Sequence, residues 1–472
     1  MARKASTAKK KSAPERKDPV TTVTDRADGF AAMSGQLADT PAPLPPRYLT
    51  GHDRRRHVRA TLREDHAQRI NERADATQAK FDKLAGSLFS FFRGTALLFY
   101  RDMAGEDGDM PTVLVLGDVH PSNFGIMPNA DNVPIFGVND FDEATYAPFT
   151  WDLKRGAVGF LLAAAEMGGL KRKKRRKVIK RFVAGYLDAM RQYAQDASER
   201  TAQFRFDNSP KVIRRLFEEA WEERESWLWS DFFDAKGRGF RNDEELVPVS
   251  SRVEEFQKYV TALAKANGIE KGGRVGDLKV KDVAMRHGAG TASLGLPRYY
   301  VLLEGPSADA TDDLVIEFKR ARRSALHGLT PPSDFDGDGK ADRIAHGQKV
   351  QLAHGDIFYG AAEIDGVSFM TRERAPYRDD IDLDELSFKS WKAYADMCGR
   401  ALAQAHARSD DLGEVDYDVE PHIIDAADPQ KLFTHDILEW AEATVERLSR
   451  DHKLFCEDHA REAFTLLDRA FR

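Results

Sequence analysis

Two short strings hold the acids and amides from which a metal–phosphate site could be built: Gly117-Asp118-Val119-His120-Pro121-Ser122-Asn123 and Asn139-Asp140-Phe141-Asp142. Phosphoryl transfer asks a protein for little covalent chemistry. It needs a divalent metal held on the phosphates, a group that orients the attacking hydroxyl, and fixed geometry. Asp118 follows the apolar run 112–116, which predicts a buried strand with the acid delivered at its rigid C-terminal end. Asn123 lies on the same loop. Residues 124–127 and 134–138 then flank a cluster of turn formers at 128–132, so a hairpin returns the chain to Asp140, again at a strand end. Three oxygen-bearing side chains thus converge from adjacent strand ends, and hard oxygen ligands suit Mg2+. Any one such motif could be ordinary turn chemistry; their joint spacing is what argues for a site.

Asp-x-x-x-x-Asn, a hairpin and then Asp-Phe-Asp resembles the catalytic and metal loops of protein kinases. It is closer still to the aminoglycoside and choline kinase-like group, with Leu116 standing where that group often has His. The resemblance implies Asp118 as catalytic base, Asn123 and Asp140 with Asp142 as metal ligands, and Asp152, in Trp151-Asp152-Leu153, as a brace for the catalytic loop. His120 is either a catalytic-loop residue or a packing one. A further resemblance covers most of the chain. Phe-Phe-Arg-Gly (91–94, with Arg93 in a supporting role), Gly-Asp-Val-His-Pro-Ser-Asn-Phe-Gly (117–125), Asn-Asp-Phe-Asp-Glu-Ala (139–144), Trp-Asp-Leu-Lys-Arg (151–155), Gly-Thr-Ala-Ser-Leu-Gly (290–295) and Ala-His-Ala-Arg-Ser (405–409) are similar to the bacterial domain-of-unknown-function family 2252. That family is grouped with kinase-like folds and its substrate is not established. The resemblances imply Mg2+ and ATP, and leave the acceptor, small molecule or protein, unnamed.

A second element of such a site is the segment containing Gly288, Gly290, Ser293 and Gly295, followed by Lys319 at the end of the predicted strand 314–318. Glycines let backbone N–H groups approach phosphates, and a lysine supplies a point charge. In kinases the glycine loop precedes the catalytic loop; here it follows. The expected fold is therefore α+β, two-lobed and protein-kinase-like, with the lobes circularly permuted. If the two strings do not belong together, the glycine loop is structural. The expected organisation is a disordered basic tail (1–45), a catalytic segment (46–235), a glycine-loop segment (236–375) and a helical segment completing the catalytic lobe (376–472). Helices are expected over 54–78, 151–167, 347–359 and 394–408.

Rival chemistries are weaker. Gly117-Asp118-x-His120 also opens a metallophosphoesterase pattern, but no Gly-Asn-His follows. Asp334, Asp336, Asp338 and Asp342 are spaced like four positions of a Ca2+ loop, but Ala345 stands where the bidentate Glu belongs, so a solvated acidic loop is preferred. His354-Gly355-Asp356 mimics a catalytic loop without its metal-binding Asn. Composition sets the rest. With 42% hydrophobic residues in 472, the chain can build a large core, and a net charge of −6 argues against a general polyanion binder. Two cysteines, Cys398 and Cys456, point to a reducing, cytoplasmic setting. No run is apolar and long enough to span a membrane. The basic tail with Lys9-Lys10-Lys11 offers nucleic acid a contact, a lesser reading than a solvated tail; the run 171–177 is read as a solvated helix face, with docking of an anionic partner as the alternative. The leading reading is an ATP/Mg2+-dependent phosphotransferase. Its alternatives are a catalytically weak nucleotide-binding regulator and a metal-dependent phosphohydrolase.

Overall fold

The computed structural model describes residues 45–465, apart from 73, 238, 288–297, 308–309, 334–340, 378–380 and 412. The basic tail, the glycine segment with Gly288, Gly290, Ser293 and Gly295, and the acids Asp334, Asp336 and Asp338 lie outside the described residues.

The chain opens with helices α1 (Gly51–Asp65), α2 (Ala67–Glu72), α3 (Ala74–Gly86), α4 (Leu88–Gly94) and α5 (Ala96–Met103). The single helical stretch expected over 54–78 is thus broken at His66, whose φ −109 and ψ 7 are not helical. Ser87 accepts the Ser90 N–H at 3.0 Å and starts α4, the N-cap role in which Ser is favoured. The predicted strand and hairpin follow: β1 (Thr112–Val115), β2 (Phe124–Pro128), β3 (Pro134–Val138) and β4 (Thr145–Pro148). β1 pairs antiparallel with β4, and β2 with β3 from Phe124↔Val138 to Pro128↔Pro134. Next come α6 (Phe149–Glu166), α7 (Arg172–Asp196), α8 (Lys211–Ala220) and α9 (Arg224–Asp231).

Residues 246–374 form a sheet: β5 (Leu246–Pro248), α10 (Val253–Asn267), β6 (Val280–Arg286), β7 (Arg298–Leu303), β8 (Leu314–Arg320), α11 (Ala341–Gln351), β9 (Gly360–Ile364) and β10 (Val367–Arg374). Its strand order is β5-β6-β7-β8-β10-β9, antiparallel throughout. Tyr299, Val301, Leu303, Ile316 and Phe318 face α10 through Phe256, Val260 and Leu263. The alternate residues Tyr300, Leu302 and Val315 face Trp227, Leu228, Phe232 and Phe240. Both faces are covered, which is why 299–303 reads as a continuous apolar run and not as an alternating one. α9 therefore packs on the sheet, although the sequence groups it with the preceding segment. The helix expected over 347–359 lies earlier in the chain: it ends at Gln351, and the chain turns through His354 at φ +53.

The chain closes with α12 (Phe388–Ala407), α13 (Val419–Ala426) and α14 (Gln430–His459). These pack on the first helices in one core. Arg54 of α1 joins Asp102 of α5 at 2.7 Å to Asp451 of α14 at 2.9 Å. The basic run at the start of α7 is partly used inside the fold, since Arg172 and Arg176 both pair with Glu442 of α14. Among the described residues no helix is long and apolar enough to cross a membrane.

α7 and α12 touch through backbone. A Cβ on Gly185 would collide with the Asp396 carbonyl, and one on Gly399 with the Phe182 carbonyl. Neither obstacle is a movable side chain. Gly399→Ala is expected to destabilise the protein by about 2 kcal/mol or more, within or above the usual range for overpacking. Urea unfolding of the two proteins measures it.

Candidate functional site

Between Thr112 and Ala164, outside the hairpin turn at 130–134, the residues that keep surface are Asp118, Ser122, Asp140 and Asp142. Everything around them is buried. The three acids therefore keep partial contact with solvent on a buried, apolar base.

Asp118 is placed from below. Gly117 has φ +79, and a Cβ there would lie 2.5 Å from the Glu143 carbonyl, so the turn before Asp118 is pressed onto the Asp-Phe-Asp loop and needs glycine. Asp152, fully buried on α6, accepts the N–H of Leu116 at 2.6 Å and of Gly117 at 3.0 Å. His406 of α12 donates its Nε2–H to Asp152 at 3.1 Å while its Nδ1 takes the Tyr186 hydroxyl at 2.9 Å. One turn further along α6, on the same face, Arg155 binds Asp118 Oδ1 with Nε at 2.8 Å and Nη2 at 2.5 Å. Its guanidinium lies 4.3 Å and 4.8 Å from the ring centroids of Phe92 and Phe99. Arg155 was not singled out in the sequence; its spacing of three from Asp152 was the available signal.

Asn123 donates Nδ2–H to the Asp118 carbonyl at 2.7 Å, and its own carbonyl receives the Asn139 N–H at 3.1 Å. The loop 117–123 and the end of the hairpin are thereby stitched together beside Asp140. His120 is buried, and its Nδ1 accepts the Ser122 N–H at 3.2 Å. Its Nε2 takes the Arg93 Nε–H at 3.3 Å and lies 3.7 Å from Asp118 Oδ2; a neutral imidazole has one acceptor nitrogen, so the Ser122 and Arg93 contacts compete for it. Burial, then the charges of Arg93 and Arg155, hold His120 well below the usual histidine range, so it is neutral.

Asp140 and Asp142 share a negative field. Burial, then the Asp142 charge, raises Asp140 above the usual carboxylate range. Asp142 is also pushed up by burial, but the Lys319 ammonium, joined by Arg322 and Arg372, outweighs this and holds it low. Lys319, at the end of β8, reaches Asp142 Oδ2 at 2.6 Å across 177 residues of sequence. Asp142 is the acidic partner that the sequence alone does not identify. Glu143 pairs with Arg322 at 3.2 Å and accepts the Ala325 N–H.

The donor set suits Mg2+: carboxylates at Asp140 and Asp142 and an amide at Asn123, all oxygen. Asp142 Oδ1 is buried without a hydrogen-bond partner, the kind of atom a cation would satisfy. The other candidates do not join this group. Asp342 is exposed in the first turn of α11. Asp356 caps a turn through the N–H groups of Phe358 and Glu373, and burial with the neighbouring Glu373 charge pushes it up to about 7. A separate acid group, Asp410, Asp418 and Glu420, has oxygens within 4.8 Å of one another and was not anticipated.

Two outcomes are expected. Asp152→Ala removes a buried acceptor from two amides and a histidine, and should cost about 3 kcal/mol in chemical denaturation. Asp140 has a raised folded value, so its ionisation weakens the fold as pH rises from the ordinary Asp range through that value. Asp140→Asn should therefore melt above the wild type at neutral pH, with the difference vanishing in acid.

No curated protein and no solved structure matches the chain. The family described as "Uncharacterized protein conserved in bacteria (DUF2252)" matches residues 72–458, from the second helix to the end of the last, and a match of that extent makes this chain a member of that family.

Proposed function

We propose that this protein is a Mg2+- and ATP-dependent phosphotransferase with a two-lobed, permuted kinase-like arrangement. The observation that carries the reading is the convergence of Asp118, Asn123, Asp140 and Asp142 with Lys319, fixed by the 2.6 Å Lys319–Asp142 pair. The order of parts on the sheet supports it. The glycine segment lies in sequence between β6 and β7, and the lysine is on β8, the third strand of that run, as in kinases. The departure is that Lys319 takes an acid of the Asp-Phe-Asp loop where kinases use a helix glutamate.

In this reading Asp140 and Asp142 with Asn123 hold Mg2+, and Lys319 holds phosphate oxygens. Bound Mg2+ would neutralise charge on the phosphates as the phosphoryl group passes to the acceptor oxygen. Asp118 accepts the acceptor's hydroxyl proton at Oδ2, the oxygen Arg155 leaves free. Arg155, Asp152 and Asn123 position that carboxylate. The rival, a catalytically weak nucleotide-binding regulator, gains from the same two-nitrogen hold of Arg155 on Asp118, which ties down the would-be base. Cys398 and Cys456 are free thiols, in keeping with a cytoplasmic setting.

Thermal-shift titration with ATP and Mg2+ tests the reading. The wild type and Asp118→Asn should be stabilised and Asp140→Asn should not; no response in the wild type would sink the proposal. A phosphorylation screen on a metabolite pool then separates enzyme from regulator. Lys319→Ala should weaken ATP binding about tenfold or more, the loss of a charge-assisted contact of about 1.5–3 kcal/mol. Isothermal titration of the two proteins would read this.

A further inference from the structure

Lys389, Lys392, Asp396 and Arg400 share one face of α12, at the helical spacing that brings side chains together. With Arg181 of α7 they are the charged residues lining a groove of about 880 Å3. Four cations thus share one carboxylate, and that carboxylate is engaged twice. Arg181 Nη2 reaches Asp396 Oδ1 at 2.6 Å, and Arg400 Nε reaches Oδ2 at 3.2 Å. Among the described residues Lys389 and Lys392 meet no acid; the Lys392 ammonium lies 5.1 Å from the Phe388 ring centroid. Like charges gathered in one hollow raise its potential for an anion. The walls are fixed from outside. The α12 backbone at Asp396 is pressed on Gly185 of α7, the Phe204 carbonyl accepts the Phe136 N–H at 2.8 Å, and Asn208 donates to the Gln203 carbonyl at 2.8 Å. Tyr193, Phe204 and Met397 give the groove an apolar side. A preformed hollow of this size, part apolar with a few convergent charges, suits a small molecule.

We propose that this groove binds a small molecule bearing phosphate, with Lys389, Lys392, Arg181 and Arg400 on the phosphate oxygens and the apolar side free to hold an organic body. A phosphate brings more than one negative charge and several acceptor oxygens, which matches a set of cations that one carboxylate leaves in excess. A polymeric anion fits less well: the cations line one hollow of small-molecule size, and the chain as a whole carries a net charge of −6. The site goes beyond the phosphotransferase reading and does not depend on it, since Asp118, Asn123, Asp140, Asp142 and Lys319 are not among the residues that line the groove.

The test titrates inorganic pyrophosphate and glucose 6-phosphate into the full chain by isothermal calorimetry, without divalent metal and at constant ionic strength. At least one should bind the wild type saturably, and the tighter of the two separates an inorganic from an organic phosphate. The double variant Lys389→Gln, Lys392→Gln should weaken that binding about tenfold or more. Lys389 is exposed and Lys392 half-buried, so the variant should fold, and an unchanged melting temperature checks this. The double variant Lys389→Arg, Lys392→Arg should retain the binding, as should Lys319→Ala, and ATP/Mg2+ binding should be the same in both lysine variants as in the wild type. Neither probe binding the wild type, undiminished binding in the glutamine variant, or binding lost in Lys319→Ala instead overturns the inference. So does a single-stranded oligonucleotide that binds more tightly than both probes and is lost in the glutamine variant, which would make the face a nucleic-acid surface.

Discussion

The Asp152 carboxylate is the point on which the site depends. It is wholly buried, yet it accepts two backbone N–H groups at the end of β1 and one imidazole N–H from α12. A buried charge is tolerated only when its acceptor capacity is used, and here the donors come from elements distant in sequence. The same interaction fixes where the strand stops and where Asp118 begins. Arg155, one turn on, then fixes which way the Asp118 carboxylate points. Aromatic rings around Arg155 keep its guanidinium dry, which strengthens its hold on Asp118.

A second constraint joins the sheet to this base. The three acids at 140, 142 and 143 would repel one another if left alone. Lys319 and Arg322, two ends of one short segment leaving β8, neutralise Asp142 and Glu143 respectively. Burial and the neighbouring Asp142 charge together raise the proton affinity of Asp140. An acid so placed is costly to the fold and available to a cation, the trade-off expected where function and stability compete.

The sequence by itself determined the local parts. The strand-end position of Asp118, the hairpin through 128–132, the helix carrying Asp152 and the placement of Lys319 on a strand follow from periodicity and turn chemistry, which act over a few residues. The break at His66, the early end of α11 and the attachment of α9 to the sheet were not legible, because packing partners decide them. The same holds for the pairings that make the site. Lys319 could have been a surface lysine until β8 brought it to Asp142, and His406 is 254 residues from Asp152. Charge pairs across such separations leave no periodic trace in the chain. Only the folded core, by excluding water and closing those loops, decides which acid meets which base.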